Sequence, residues 1–64
     1  MAVKKNRQEI ILVVDDSPDT LEMLHRSIEY MGFSVYSCES AQEAIDILKE
    51  KHIDLVITDY HMPF

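Results

Sequence analysis

The stretch Ile10-Ile11-Leu12-Val13-Val14-Asp15-Asp16-Ser17-Pro18 decides how the rest of the chain is read. Its five apolar residues leave no polar face, the composition of a strand covered on both sides, as in a parallel sheet. Two aspartates end the run. Ser17-Pro18 then supplies a helix start, with a hydroxyl to accept an amide N–H and a proline where no donor is missed. A strand that feeds a helix in this way predicts a crossover unit, with the first strand at the centre of the sheet.

Working outward, the first helix is expected to run to about Met31. Leu21, Leu24, Ile28 and Met31 recur at helical spacing while Asp19, Glu22, Arg26 and Glu29 face away. Gly32 is the expected stop, since it takes the left-handed conformation that ends helices. Phe33 to Cys38 alternates as a short second strand with one partly exposed face and reads as an edge. Ser40-Ala41-Gln42-Glu43 matches a capping box. It opens a second helix reaching about Lys51, with Ala41, Ala44, Ile45 and Leu48 as its buried stripe and Ile47 near the margin. A third strand, Leu55 to Thr58, follows His52 to Asp54. The order β-α-β-α-β predicts an α/β fold with a parallel sheet. If the third strand returns to the far side of the first, right-handed crossovers put the helices on opposite faces.

Sixty-four residues make one small domain at most, since a chain near this length buries only about 60% of its unfolded surface. The single cysteine, Cys38, excludes an internal disulfide framework and suits a reducing, cytoplasmic setting. The apolar runs are far shorter than the roughly twenty residues of a membrane helix, so no membrane partner is expected. A net charge of −6 argues against nucleic-acid binding, which rests on phosphate neutralisation by Lys and Arg. Residues 1–9, with Lys4, Lys5 and Arg7, read as a flexible basic tail, and residues 10–64 as one unit.

The chemistry lies in Asp15, Asp16 and Asp59. In a parallel sheet the first and third strands end at the same edge, where open α/β sheets hold ligands. Carboxylates crowded there relieve their repulsion by protonation or by binding a cation. Oxygen ligands select Mg²⁺ or Ca²⁺, and Mg²⁺ keeps waters that a phosphate oxygen can replace. A carboxylate so placed can also attack phosphorus. The plainer readings are that Asp15-Asp16 favours a helix N-terminus and that Asp59 is a turn residue. His25 and His52 read as solvated, and Cys38 as a small strand residue.

Together these segments resemble the receiver domains of bacterial two-component response regulators. The resemblance runs from Ile10 to Pro63: the apolar strand with Asp15-Asp16-Ser17-Pro18, the Gly32-Phe33 helix stop, Ala41-Gln42-Glu43-Ala44, and Asp54-Leu55-Val56-Ile57-Thr58-Asp59-Tyr60-His61-Met62-Pro63. It implies a flavodoxin-like (CheY-like) sheet with strand order 2-1-3, truncated to β-α-β-α-β, the N-terminal half of a receiver domain. It implies Asp59 as phosphoacceptor, Asp16 as a direct Mg²⁺ ligand, Asp15 as a ligand through water and the His61 backbone carbonyl as a further ligand. A histidine kinase or phosphotransfer protein is the implied partner. The family's sheet has five strands; its Ser/Thr after the fourth and its lysine after the fifth are not among these residues, so phosphate acceptance is expected to be impaired. The chain is expected to be a phosphoacceptor rather than an enzyme. A second expectation, from a different class, is a self-associating structural half-domain, a homodimer or oligomer formed through strand 55–58. An aspartyl-phosphate phosphatase ranks last, because Asp59-Tyr60-His61 lacks the Asp-x-Asp pair.

Overall fold

The computed structural model describes residues 9–58. They form β1 (Ile10–Val14), α1 (Pro18–Tyr30), β2 (Ser34–Cys38), α2 (Ala41–Glu50) and β3 (Leu55–Thr58). The sheet is parallel with order β2-β1-β3. The expected basic tail, apart from Glu9, lies outside the described residues, as do Asp59 and His61.

β1 is central and apolar on both faces because both are covered. Leu12 and Val14 join Cys38 and Ala44 in one core cluster, with Ile47 and Ile53 against it. Ile11 and Val13 join Ile28 in the other, flanked by Leu21, Leu24, Phe33, Val35 and Ile57. The two helices therefore sit on opposite faces of the sheet, as the crossover rule requires. The register sets Val14 beside Cys38 on one side and Thr58 on the other. At the opposite end a clamp closes β1 onto the approach to β3: Asp54 N–H donates to Ile10 O at 2.8 Å, and Ile10 N–H donates to Asp54 Oδ2 at 2.8 Å.

Both helix starts form as the caps predict. Ser17 Oγ accepts from Thr20 N–H at 3.5 Å, and Ser40 Oγ accepts from Glu43 N–H at 3.2 Å. The reciprocal arm of the capping box is displaced by one residue: Glu43 Oε1 accepts from Glu39 N–H at 3.0 Å. Replacing Ser40 with Ala should cost about 1 kcal/mol, and with Gly only a few tenths. Equal urea midpoints for wild type and Ser40→Ala would contradict this role. Gly32 ends α1 at φ 103°, in the left-handed region that only glycine adopts freely.

Two expectations about helix faces need correction. Met31 is 64% exposed, because it is the C-cap of α1 and its side chain no longer follows the helical stripe. In α2, Ala44 is buried and Ile47 packs against the core, while Ile45 and Leu48 are exposed. At about 100° per residue, Ile47 lies about 60° from Ala44 on one side and Leu48 about 40° on the other. The apolar arc of α2 is thus wider than the surface beneath it. Its phase is set on the β2 side, where Lys51 Nζ stands 5.3 Å from the centroid of the Tyr36 ring.

Candidate phosphoryl and cation site

Asp15 continues the line of β1 past its last residue, and its N–H donates to Cys38 O at 3.1 Å. That bond holds its backbone in the sheet and its side chain inside, where the residue is only 3% exposed. Oδ1 accepts from Ser17 N–H at 2.9 Å, tying the carboxylate to the start of α1. Oδ2 is buried and has no hydrogen-bond partner among the described residues. A buried carboxylate oxygen with no donor is costly, and a hard cation relieves that cost. Asp15 therefore fits a hard divalent ion. Asp16, one residue on, is exposed.

The register places Val14 beside Thr58, and each is followed in the chain by an aspartate, Asp15 and Asp59. Asp59 and His61 lie outside the described residues. Among those residues, no group of three or more His, Cys, Asp or Glu is placed to hold a metal ion.

Neither His25 nor His52 is simply solvated, contrary to expectation. His25 Nδ1 lies 2.7 Å from Ser37 Oγ, and its Nε2 lies 3.4 Å from Glu29 Oε2, so it ties α1 to β2. His52 Nε2 lies 2.8 Å from Asp54 Oδ1, bracing the carboxylate that clamps Ile10. The spacing His52-x-Asp54 hinted at the second contact. Nothing local hinted at the first, which needs α1 to lie at one register on β2. Cys38 meets expectation as a buried core thiol whose S–H donates to Ser40 O at 3.6 Å. Burial chiefly, with the charge of Glu43 adding, pushes its pKa up, against the smaller opposing effect of the Ser40 hydrogen bond. It is a poor nucleophile at neutral pH. A cleft of about 560 Å³ beside it is lined by Glu39, Glu43 and Asp46 and does not include Asp15.

A family model described as the response regulator receiver domain matches residues 11–64. The chain belongs to that family. Curated relatives agree. The sensor histidine kinase RcsC of Escherichia coli K12 is 34% identical over 62 residues, covering 97% of this chain and 6% of the kinase. The two-component response regulator ORR26 of Oryza sativa subsp. japonica is 40% identical over 55 residues, covering 83% of this chain and 10% of the regulator. The probable transcriptional regulator ycf27 of Porphyridium aerugineum is 35% identical over 57 residues, covering 89% and 24%. The chain thus spans a small fraction of each relative. No solved structure matches it. The parallel 2-1-3 order with alternating helices is that of a CheY-like receiver fold, and receiver domains generally bind Mg²⁺. Among the described residues, no helix of this receiver chain is long and apolar enough to cross a membrane.

Proposed function

We propose that this receiver chain is the phosphoacceptor module of a two-component phosphorelay, taking a phosphoryl group from a histidine kinase or phosphotransfer protein onto Asp59. The observation that carries the reading is the buried Asp15 carboxylate at the carboxyl end of β1, with its unsatisfied Oδ2 and with β1 and β3 in a register that makes Val14 a neighbour of Thr58. In this reading Asp15, Asp16, Asp59 and the His61 backbone carbonyl hold Mg²⁺, which when bound neutralises charge on the transferring phosphoryl group. A carboxylate oxygen of Asp59 forms the new bond to phosphorus, and the phosphorus–nitrogen bond of the donor histidine breaks, that nitrogen taking up a proton. Ser17 N–H fixes Asp15 at one oxygen and leaves the other for the site. The module acts as a substrate of its kinase rather than as an enzyme, in the cytoplasm, with no nucleic acid bound by this segment.

Incubation with acetyl phosphate and Mg²⁺ should add one phosphoryl mass to the chain, sensitive to hydroxylamine and absent in Asp59→Asn. The expected yield is low, because no lysine or hydroxyl residue here is assigned to contact the phosphoryl group. No adduct under any donor would count against the phosphorelay reading.

A second reading, a self-associating structural unit, draws support from β3. It is an edge strand of the sheet, its Leu55 is 53% exposed and Val56 is exposed as well. An apolar strand at a sheet edge is a template for pairing with another chain.

A further inference from the structure

Resting on the self-association reading, we infer that two copies of this chain join their β3 strands antiparallel about a two-fold axis normal to the sheet, with Val56 opposite Val56 of the partner subunit. The α2 flanks beside β3 complete the seam.

The face on which each residue lies fixes this arrangement. Val56 is in register with Leu12, which belongs to the cluster under α2. Ile57 is in register with Val13, and Ile57 itself packs in the cluster under α1. Ile47 and Lys51 of α2 lean toward β2, so Ala41, Ile45 and Leu48 lie on the flank toward β3. Ile45, Leu48 and Val56 are all exposed there and form an uncharged strip on one side of the sheet.

A two-fold axis normal to the sheet keeps α2 on the same side in both copies, so the two strips meet. An axis along the strands would instead set the α2 strip of one copy against the α1 side of the other. Charge favours the same surface, because copies that each carry a net charge of −6 repel except where the contact is neutral. The strand edge alone is small against the roughly 800 Å² per partner of a standard interface. The α2 flank therefore supplies needed contact area, and the dimer should be a weak one.

Residues directly opposed across antiparallel strands share a face, so the two-fold must be centred on a residue. Centred on Leu55, the pairing would set Val56 against the partner's Asp54; centred on Ile57, it would set Val56 against the partner's Thr58. Centred on Val56, it sets Val56 against the partner's Val56 and Leu55 against the partner's Ile57. Only that register opposes apolar residues throughout.

Two variants test it, Val56→Cys and Leu55→Cys, each in a Cys38→Ala background and checked for native helical signal by circular dichroism. Across the proposed axis the position-56 Cα atoms lie about 4.5–5.5 Å apart, within disulfide range. Position 55 meets its own copy only diagonally, at about 7–8 Å. With oxidised glutathione, Val56→Cys should cross-link about tenfold or more faster than Leu55→Cys, and light scattering of the wild type at sub-millimolar concentration should show mass rising above 7.5 kDa. Val56→Lys, which sets like charges opposite each other, should restore the monomer. A dimer whose two cysteine variants cross-link at equal rates would overturn this seam and leave self-association standing. A monomer at every concentration would overturn both.

Discussion

Leu12→Ala should leave the chain unfolded at 25 °C. Leu12 has no exposed surface and sits between Val14, Cys38 and Ala44, with Ile47 and Ile53 closing over it. Truncating a buried leucine removes its transfer free energy and leaves a cavity, together about 2–5 kcal/mol. A single core in a domain below 70–80 residues seldom supplies more than about 3–5 kcal/mol in total. The loss is thus as large as the stability it is taken from. Collapse offers little relief, because β1 is pinned on both sides by its ladders to β2 and β3. Leu12→Met keeps the volume and should cost less than about 1.5 kcal/mol. Far-ultraviolet circular dichroism with urea titration separates the two variants. A cooperative unfolding transition in Leu12→Ala within 1 kcal/mol of wild type would show that the core does not depend on this strand.

The same strand explains how much of the fold could be read from the sequence. β1 was legible because burial on both faces leaves no polar residue to obscure it. The caps at Ser17 and Ser40 and the stop at Gly32 were legible because each acts within a few residues of itself. The facing of α2 was less so. Ala41, Ala44, Ile45, Ile47 and Leu48 form an arc that several orientations would bury equally well, and the sheet decides among them. Met31 failed for a related reason: a periodic pattern does not say where the helix stops following it. At the site, Asp15 and Asp16 look alike in the sequence, yet one is buried and the other exposed. Their difference comes from the bond of Asp15 N–H to Cys38 O, a contact with a residue more than twenty positions away. The His25 to Ser37 contact is equally non-local. Local chemistry was readable; the relation of one element to its neighbours was not.

That buried carboxylate carries the second large effect. Asp15→Asn should be more stable than wild type in metal-free buffer and should lose the response to Mg²⁺. The amide keeps the shape of the side chain, and its oxygen still accepts from Ser17 N–H, the bond that holds Oδ1 at 2.9 Å. What it removes is an anionic oxygen with no donor, Oδ2, beside the like charge of Asp16. The new amide N–H₂ is itself a buried donor without a partner, which costs about 1–3 kcal/mol, but an uncompensated buried charge costs more. The net gain should be about 1 kcal/mol. In wild type, Mg²⁺ at ten times its Kd should add about 1.4 kcal/mol, which raises Tm by roughly 5–10 °C in a domain of this size. In Asp15→Asn the shift should fall below about 2 °C, while equal ionic strength from NaCl should move neither protein. Asp16→Asn supplies the comparison, because Asp16 is exposed and its loss relieves no buried charge: that variant should lose Mg²⁺ response without gaining metal-free stability. If Asp15→Asn answered Mg²⁺ as wild type does, the unsatisfied oxygen at the end of β1 would have no part in holding a cation, and Asp15 would be left with the structural task of starting α1 through Ser17.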